Sequence, residues 1–197
     1  MRKMIAFVFC IAILIAAVGF NATPAKSTKP EADNASVSRV QRGFQIAPVP
    51  LHTQGRNRAQ IGLGSYLVNA VSECNDCHSC PTFAPGHNPF DGVGDGALNP
   101  TNHLAGGVNF GPGDDGEDII SKNLTPDENG KPAGLDFDEF VKLIRTGHDP
   151  DEPADEVLEV MPWAFFRHMT TSDLRAIYEY LRAIPHAEPG TCTGPGQ

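Results

Sequence analysis

The densest chemistry in this 197-residue chain lies in Glu73-Cys74-Asn75-Asp76-Cys77-His78-Ser79-Cys80. Within it, Cys74-Asn75-Asp76-Cys77-His78 has the C-x-x-C-H spacing of covalent haem attachment. Two thiols about one helical turn apart can each add across one haem vinyl group. The histidine that follows directly is then placed under the iron, where an imidazole nitrogen can coordinate. Such a segment would hold one porphyrin by two thioether bonds and one axial bond.

A structural disulfide, a thioredoxin-like redox pair and half a zinc site all use x-x spacing. A zinc ribbon wants a second C-x-x-C pair downstream, and none is present. A thioredoxin-like pair wants a strand before it, whereas a helical pattern precedes Cys74. The overlap Cys74-x-x-Cys77-x-x-Cys80-Pro81 echoes an iron–sulfur run, but that run needs a fourth cysteine where Ala84 stands. Cys80 and Cys192 are then left over. In an oxidising compartment leftover thiols pair, and a bond between these two would tie the C-terminal tail to the haem loop. Intermolecular pairing is equally allowed by the sequence.

A six-coordinate electron-transfer haem wants a second axial ligand, commonly a thioether. Beyond the N-terminal segment the chain offers Met161 and Met169. Met161 stands before Pro162, whose extended backbone can present a side chain to a pocket, so Met161 is the expected distal ligand. Met169 precedes the cap of the last helix, where an apolar residue staples onto the first turn, and is read as core. His87, His103, His148 and His168 are the fallback ligands.

Three amphipathic helices must position these groups. Leu67, Ala70, Val71 and Cys74 share one face of a helix over 58–74, with Gly64 allowing another helix to cross closely. Asp136 and Glu139 form a capping box for a helix with Phe137, Phe140, Val141 and Ile144 on its buried stripe, ended by Gly147. Thr170 and Asp173 begin the last helix, striped by Leu174, Ile177, Tyr178 and Leu181 and stopped before Pro185. Between the first two lies a long Gly/Pro/Asn stretch, 81–113. Its Phe83, Phe90, Leu98, Leu104, Val108 and Phe110 are expected to cover a haem face. The acidic run Asp114-Asp115-Gly116-Glu117-Asp118 lacks EF-hand spacing and reads as a solvated loop. No alternation typical of strands is visible, so the expected fold class is all-α.

The chain begins with Met1-Arg2-Lys3 and an apolar run from Met4 to Phe20, the layout of a secretory signal, with Ala22 and Ala25 as candidate cleavage positions. Its 17 residues also reach the lower bound of a membrane span, so residues 4–20 could serve as a membrane tether. Residues 26–48, polar and without apolar period, read as a disordered linker. With 20 Gly and 17 Pro, long loops between few helices are expected. The formal charge of -9 argues against nucleic acid and for redox partners with a basic docking surface.

The order of these features resembles class I type monohaem cytochromes c. More narrowly, Gly64-Ser65-Tyr66-Leu67, Asn123-Leu124-Thr125-Pro126-Asp127, Met161-Pro162-Trp163 and Ala176-Ile177-Tyr178-Glu179-Tyr180-Leu181 resemble the bacterial cytochrome c domains associated with periplasmic dehydrogenases. The resemblance covers roughly residues 58–185. It implies a cytochrome c fold, with three to five helices and long loops wrapped round one covalently bound haem c. It also implies that Cys74 and Cys77 are the thioether sites, His78 the proximal ligand and Met161 the distal ligand. The first and last helices would cross near the haem, setting Gly64, Tyr66 and Leu67 against Tyr178 and Leu181. The expected organisation is a signal peptide or anchor (1–25), a linker (26–48), a cytochrome c domain (49–190) and a tail (191–197). The expected function is that of an exported, periplasmic electron carrier rather than an enzyme. Its donor would be a dehydrogenase or cytochrome complex, and its acceptor an oxidase or another cytochrome. Members of the dehydrogenase type often carry two or three haems; this chain has one C-x-x-C-H. The rival readings are a haem subunit of a periplasmic dehydrogenase complex and a peroxidase-like enzyme with an open iron position.

Overall fold

The computed structural model describes residues 31–153 and 155–194. The signal or anchor expected over 1–25 lies outside the described residues. Among the described residues no helix is long and apolar enough to cross a membrane. The helices are α1 (Glu31–Ile46), α2 (Arg58–Ala70), α3 (Cys74–His78), α4 (Phe137–Thr146), α5 (Trp163–Phe166) and α6 (Thr171–Leu181). The strands are β1 (Val108–Pro112), β2 (Asp118–Ile120) and β3 (Cys192–Thr193).

Two expectations are corrected here. The all-α reading, with three to five helices in a cytochrome c fold, gives way to six helices and a three-stranded mixed sheet among the described residues, a mixed α and β architecture. The strand order is β2-β1-β3, with β1–β2 antiparallel (Asn109 opposite Ile120) and β1–β3 parallel (Val108 opposite Cys192). These strands escape a period-two search because they are two to five residues long and Gly111 interrupts β1. The second correction concerns the linker. Residues 31–46 form α1, which packs along α2 through Val40, Gly43 and Phe44. A Cβ on Gly43 would run into the Gly62 carbonyl, and one on Gly62 would meet Val40 and Phe44. The two glycines let the backbones touch, and small residues at a contact face leave no apolar stripe to read.

The remaining helices follow from local signals. Asn57 caps α2, its Oδ1 accepting from the backbone N–H groups of Ala59 and Gln60. Buried Ile61, Gly64, Ser65 and Val68 make the inner face of α2. The expected face of Leu67, Ala70, Val71 and Cys74 is only partly right, since Ala70 is exposed and α2 ends there. Gly64 is where α6 crosses, against the Ala176 carbonyl and the Tyr180 Cβ, flanking the expected Tyr178 and preceding the expected Leu181. The capping box on α4 is present: Asp136 Oδ1 accepts from the N–H groups of Asp138 and Glu139, and Glu139 Oε2 accepts from the Asp136 N–H. Thr170 caps α6, whose Leu174, Ile177, Tyr178 and Leu181 are all buried. One apolar core joins the inner faces of α2, α4 and α6.

Candidate functional site

Between α3, α4, α6 and the segment 156–169 lies a cavity of about 940 Å³. That is near the top of the roughly 300–1,000 Å³ range of cofactor pockets. Its walls are mainly apolar, with Val68, Leu135, Phe140, Ile144, Leu174 and Ile177 among them. Cys74, Cys77, His78, Met161 and Met169 all line it. Cys74 and Met161, far apart in sequence, thus open on one space.

A five-residue helix has little stability of its own, so α3 depends on its surroundings. Glu73 turns the chain into it with a left-handed φ of 51°. The Gly106 N–H donates to the His78 carbonyl at 2.7 Å, and the Leu104 N–H donates to Ser79 Oγ at 2.9 Å. On the other side Asn75 Nδ2 donates to Asn69 Oδ1 at 3.1 Å. Asn69 Nδ2 in turn donates to Ser65 Oγ and to the Tyr180 hydroxyl. The Tyr180 hydroxyl also sits 2.8 Å from His103 Nε2. A buried polar chain therefore ties α2, α3 and α6 together behind the motif.

The His78 imidazole is aimed by its own hydrogen bond. Nδ1 lies 2.8 Å from the Lys122 carbonyl. A carbonyl can only accept, so Nδ1 carries the proton and Nε2 keeps its lone pair. Burial lowers the His78 pKa, which the Lys122 carbonyl partly offsets, and both the neutral ring and the fixed tautomer suit a metal ligand. Lys122 is itself clamped, its ammonium 3.0 Å from Asp149 Oδ2 and 2.9 Å from Asp151 Oδ2.

The thiols of Cys74 and Cys77 are not bonded to each other. Burial, then the neighbouring Cys77, pushes the Cys74 thiol up to about 12. Cys77 is also raised, by burial and then by Asp76 and Glu73. Both are held as neutral thiols, unlike the lowered pKa of a redox-active pair. Cys80, by contrast, is bonded to Cys192, with 5.9 Å between their Cα atoms.

Across the cavity, the loop bearing Met161 folds back on the end of α4. Its anchors are the Leu158 N–H donating to the Gly147 carbonyl and Trp163 Nε1 donating to the Leu158 carbonyl. Gly147 leaves room for the Trp163 ring, which a Cβ there would strike. Met161 and Met169 are both half-buried.

The four fallback histidines do not line the cavity. His103 is instead buried against Tyr180, and burial pushes its pKa down to about 3. Of the six apolar residues expected to cover a haem face from 81–113, only Phe110 lines the cavity. Leu104 and Val108 are core, while Phe83 and Phe90 pack edge to face with Phe90 largely exposed. The Asn69–Asn75–Tyr180–His103 chain escaped sequence reading, because its residues are polar and far apart, and Asn75 occupies an unspecified motif position.

The donor set fits a haem. Two neutral thiols, an imidazole with a free nitrogen and a thioether share one largely apolar cavity of cofactor size.

No protein-family model matches the chain, and no solved structure matches it. The chain is 24% identical over 151 residues to the cytochrome c subunit of a quinone alcohol dehydrogenase from Gluconobacter oxydans (strain 621H). The match covers 74% of this chain and 29% of that protein, so the chain spans less than a third of the relative's length.

Proposed function

We propose that this chain is an exported electron carrier holding one haem c. Cys74 and Cys77 would supply the thioether sulfurs, His78 the proximal ligand and Met161 the distal ligand. When bound, the haem supplies a one-electron iron couple. The observation that carries this reading is the His78 Nδ1 hydrogen bond to Lys122 beside two unpaired thiols on one cavity wall.

The chain's own residues have three tasks in this reading. Lys122 holds the imidazole in the tautomer that leaves Nε2 free. The apolar walls from α4 and α6 would cover the bound group and keep water away from it. Pro162 and the anchored turn behind it hold Met161 in place, where its thioether would serve as the second ligand. Met169, next to the Thr170 cap, serves as core.

Carboxylates gather at the cavity mouth, among them Glu73, Asp76, Asp115, Glu117, Glu152 and Glu156, with Lys122 the one lysine among the described residues that lines the same cavity. This supports a redox partner with a basic docking face. The Cys80–Cys192 bond supports an oxidising compartment such as the periplasm.

The similarity to a dehydrogenase's cytochrome c subunit favours a second reading, in which this chain is the electron-transfer subunit of an oxidoreductase complex. Both readings require covalent haem. The test is the intact mass of the mature exported protein under denaturing conditions. One added haem that survives denaturation is expected, and a mass without haem rejects the reading.

A further inference from the structure

The motif carries a hazard of its own. Cys74, Cys77 and Cys80 repeat at the same x-x spacing, so Cys77 has a potential disulfide partner on each side. A thiol consumed in such a bond cannot add to a vinyl group. The structure separates the three thiols: Cys74 and Cys77 are free and line the cavity, whereas Cys80 is buried and bonded to Cys192.

The C-terminal segment is docked on the Cys80 side by contacts that do not involve sulfur. Asn102 Nδ2 donates to the Glu188 carbonyl at 2.9 Å and Asn123 Nδ2 to the Ala187 carbonyl at 2.8 Å. Gly190 lies so close to Cys80 that a Cβ would strike its carbonyl, and Gly107 lies as close to the Gly190 carbonyl. Val108 in β1 then pairs with Cys192 in β3. Cys192 is thereby delivered to Cys80 and not to the cavity thiols.

Resting on the haem reading above, we propose that Cys192 is a guard for haem attachment, drawing Cys80 out of competition for Cys77 and Cys74. In the productive reaction Cys80 and Cys192 each give up a proton. Together they pass two electrons to a protein disulfide oxidant, which is reduced to a dithiol as their S–S bond forms. Without Cys192 the same oxidant joins Cys80 to Cys77 or Cys74, and one attachment thiol is lost.

The experiment compares wild type, C192S, C80S and C80S/C192S, each exported as the full chain in a host that matures haem proteins. Haem per chain is read by denaturing intact mass, and disulfides are mapped on unreduced peptides. C192S is expected to carry several-fold less haem and to yield a peptide bonding Cys80 to Cys77 or Cys74. C80S and C80S/C192S are expected to carry wild-type haem, because Cys80 is gone and the docked tail holds any remaining Cys192 thiol at the Cys80 side, away from Cys74 and Cys77. Full haem in C192S, or equal haem loss in C192S and the double variant, overturns the guarding role while the haem reading stands. A wild type without covalent haem overturns both.

Discussion

His78 donates its Nδ1–H to the main-chain carbonyl of Lys122 across 2.8 Å, and the side chain of the same lysine is held by Asp149 and Asp151. One residue therefore joins the motif to the loop after α4. Burial opposes charge on the Lys122 ammonium, but its hydrogen bonds to Asp151 and Asp149 outweigh this and raise its pKa. The two aspartates are not equivalent, since the Asp149 side chain is 6% exposed and that of Asp151 is 65% exposed.

Asp149→Ala should therefore cost about 1–3 kcal/mol of unfolding free energy, between the limits for surface and buried pairs. Asp151→Ala should leave stability almost unchanged. Urea unfolding of the two variants beside wild type checks the order. Equal effects would mean that the buried carboxylate is not the anchor.

Gly64→Ala places a Cβ against the Ala176 carbonyl and the Tyr180 Cβ. Helix propensity alone favours alanine by about 1 kcal/mol, yet overpacking costs about 1–3 kcal/mol or more where backbone must move. The expected result is a lower thermal midpoint. A midpoint at or above wild type would contradict the close α2–α6 crossing.

Stability should depend on His103. Burial holds its folded pKa at about 3, well below the ordinary 6.5. Between these values the unfolded chain binds a proton that the folded chain does not, so stability is full above about 6.5 and declines as pH falls toward 3. The loss is on the order of a few kcal/mol across that window. Urea midpoints at a series of pH values should show this slope in wild type and a shallower one in His103→Gln. Identical slopes would place the acid sensitivity elsewhere.

The acidic cavity mouth should discriminate between small redox probes. Electron exchange with the hexaammineruthenium cation should slow as ionic strength rises, and exchange with the hexacyanoferrate anion should quicken. Stopped-flow rates at several salt concentrations test it, and matching salt slopes for both probes would show that the mouth carries no effective negative field.

Much of the site was legible because its signals are local. C-x-x-C-H, the Asp136–Glu139 box and the stripe on α6 are each contained within a few turns of chain, and the structure has all three. The sheet was not legible, because β1 must find β3 across most of the domain, and the pairing depends on glycines that permit close backbone approach. Helix α1 and the inner face of α2 were missed for a related reason. Gly43, Gly62, Gly64 and Ser65 are buried by proximity of backbones, not by apolar side chains, so hydrophobic period has nothing to register. The four fallback histidines could be set aside only once their places relative to the cavity were known.

The ferric absorption spectrum of the purified mature protein decides whether a haem is clamped between His78 and Met161. A low-spin spectrum is expected, with a thioether-to-iron band that disappears in Met161→Ala and persists in Met169→Ala. A high-spin wild type that binds cyanide readily, or a Met161→Ala variant with an unchanged spectrum, would contradict it.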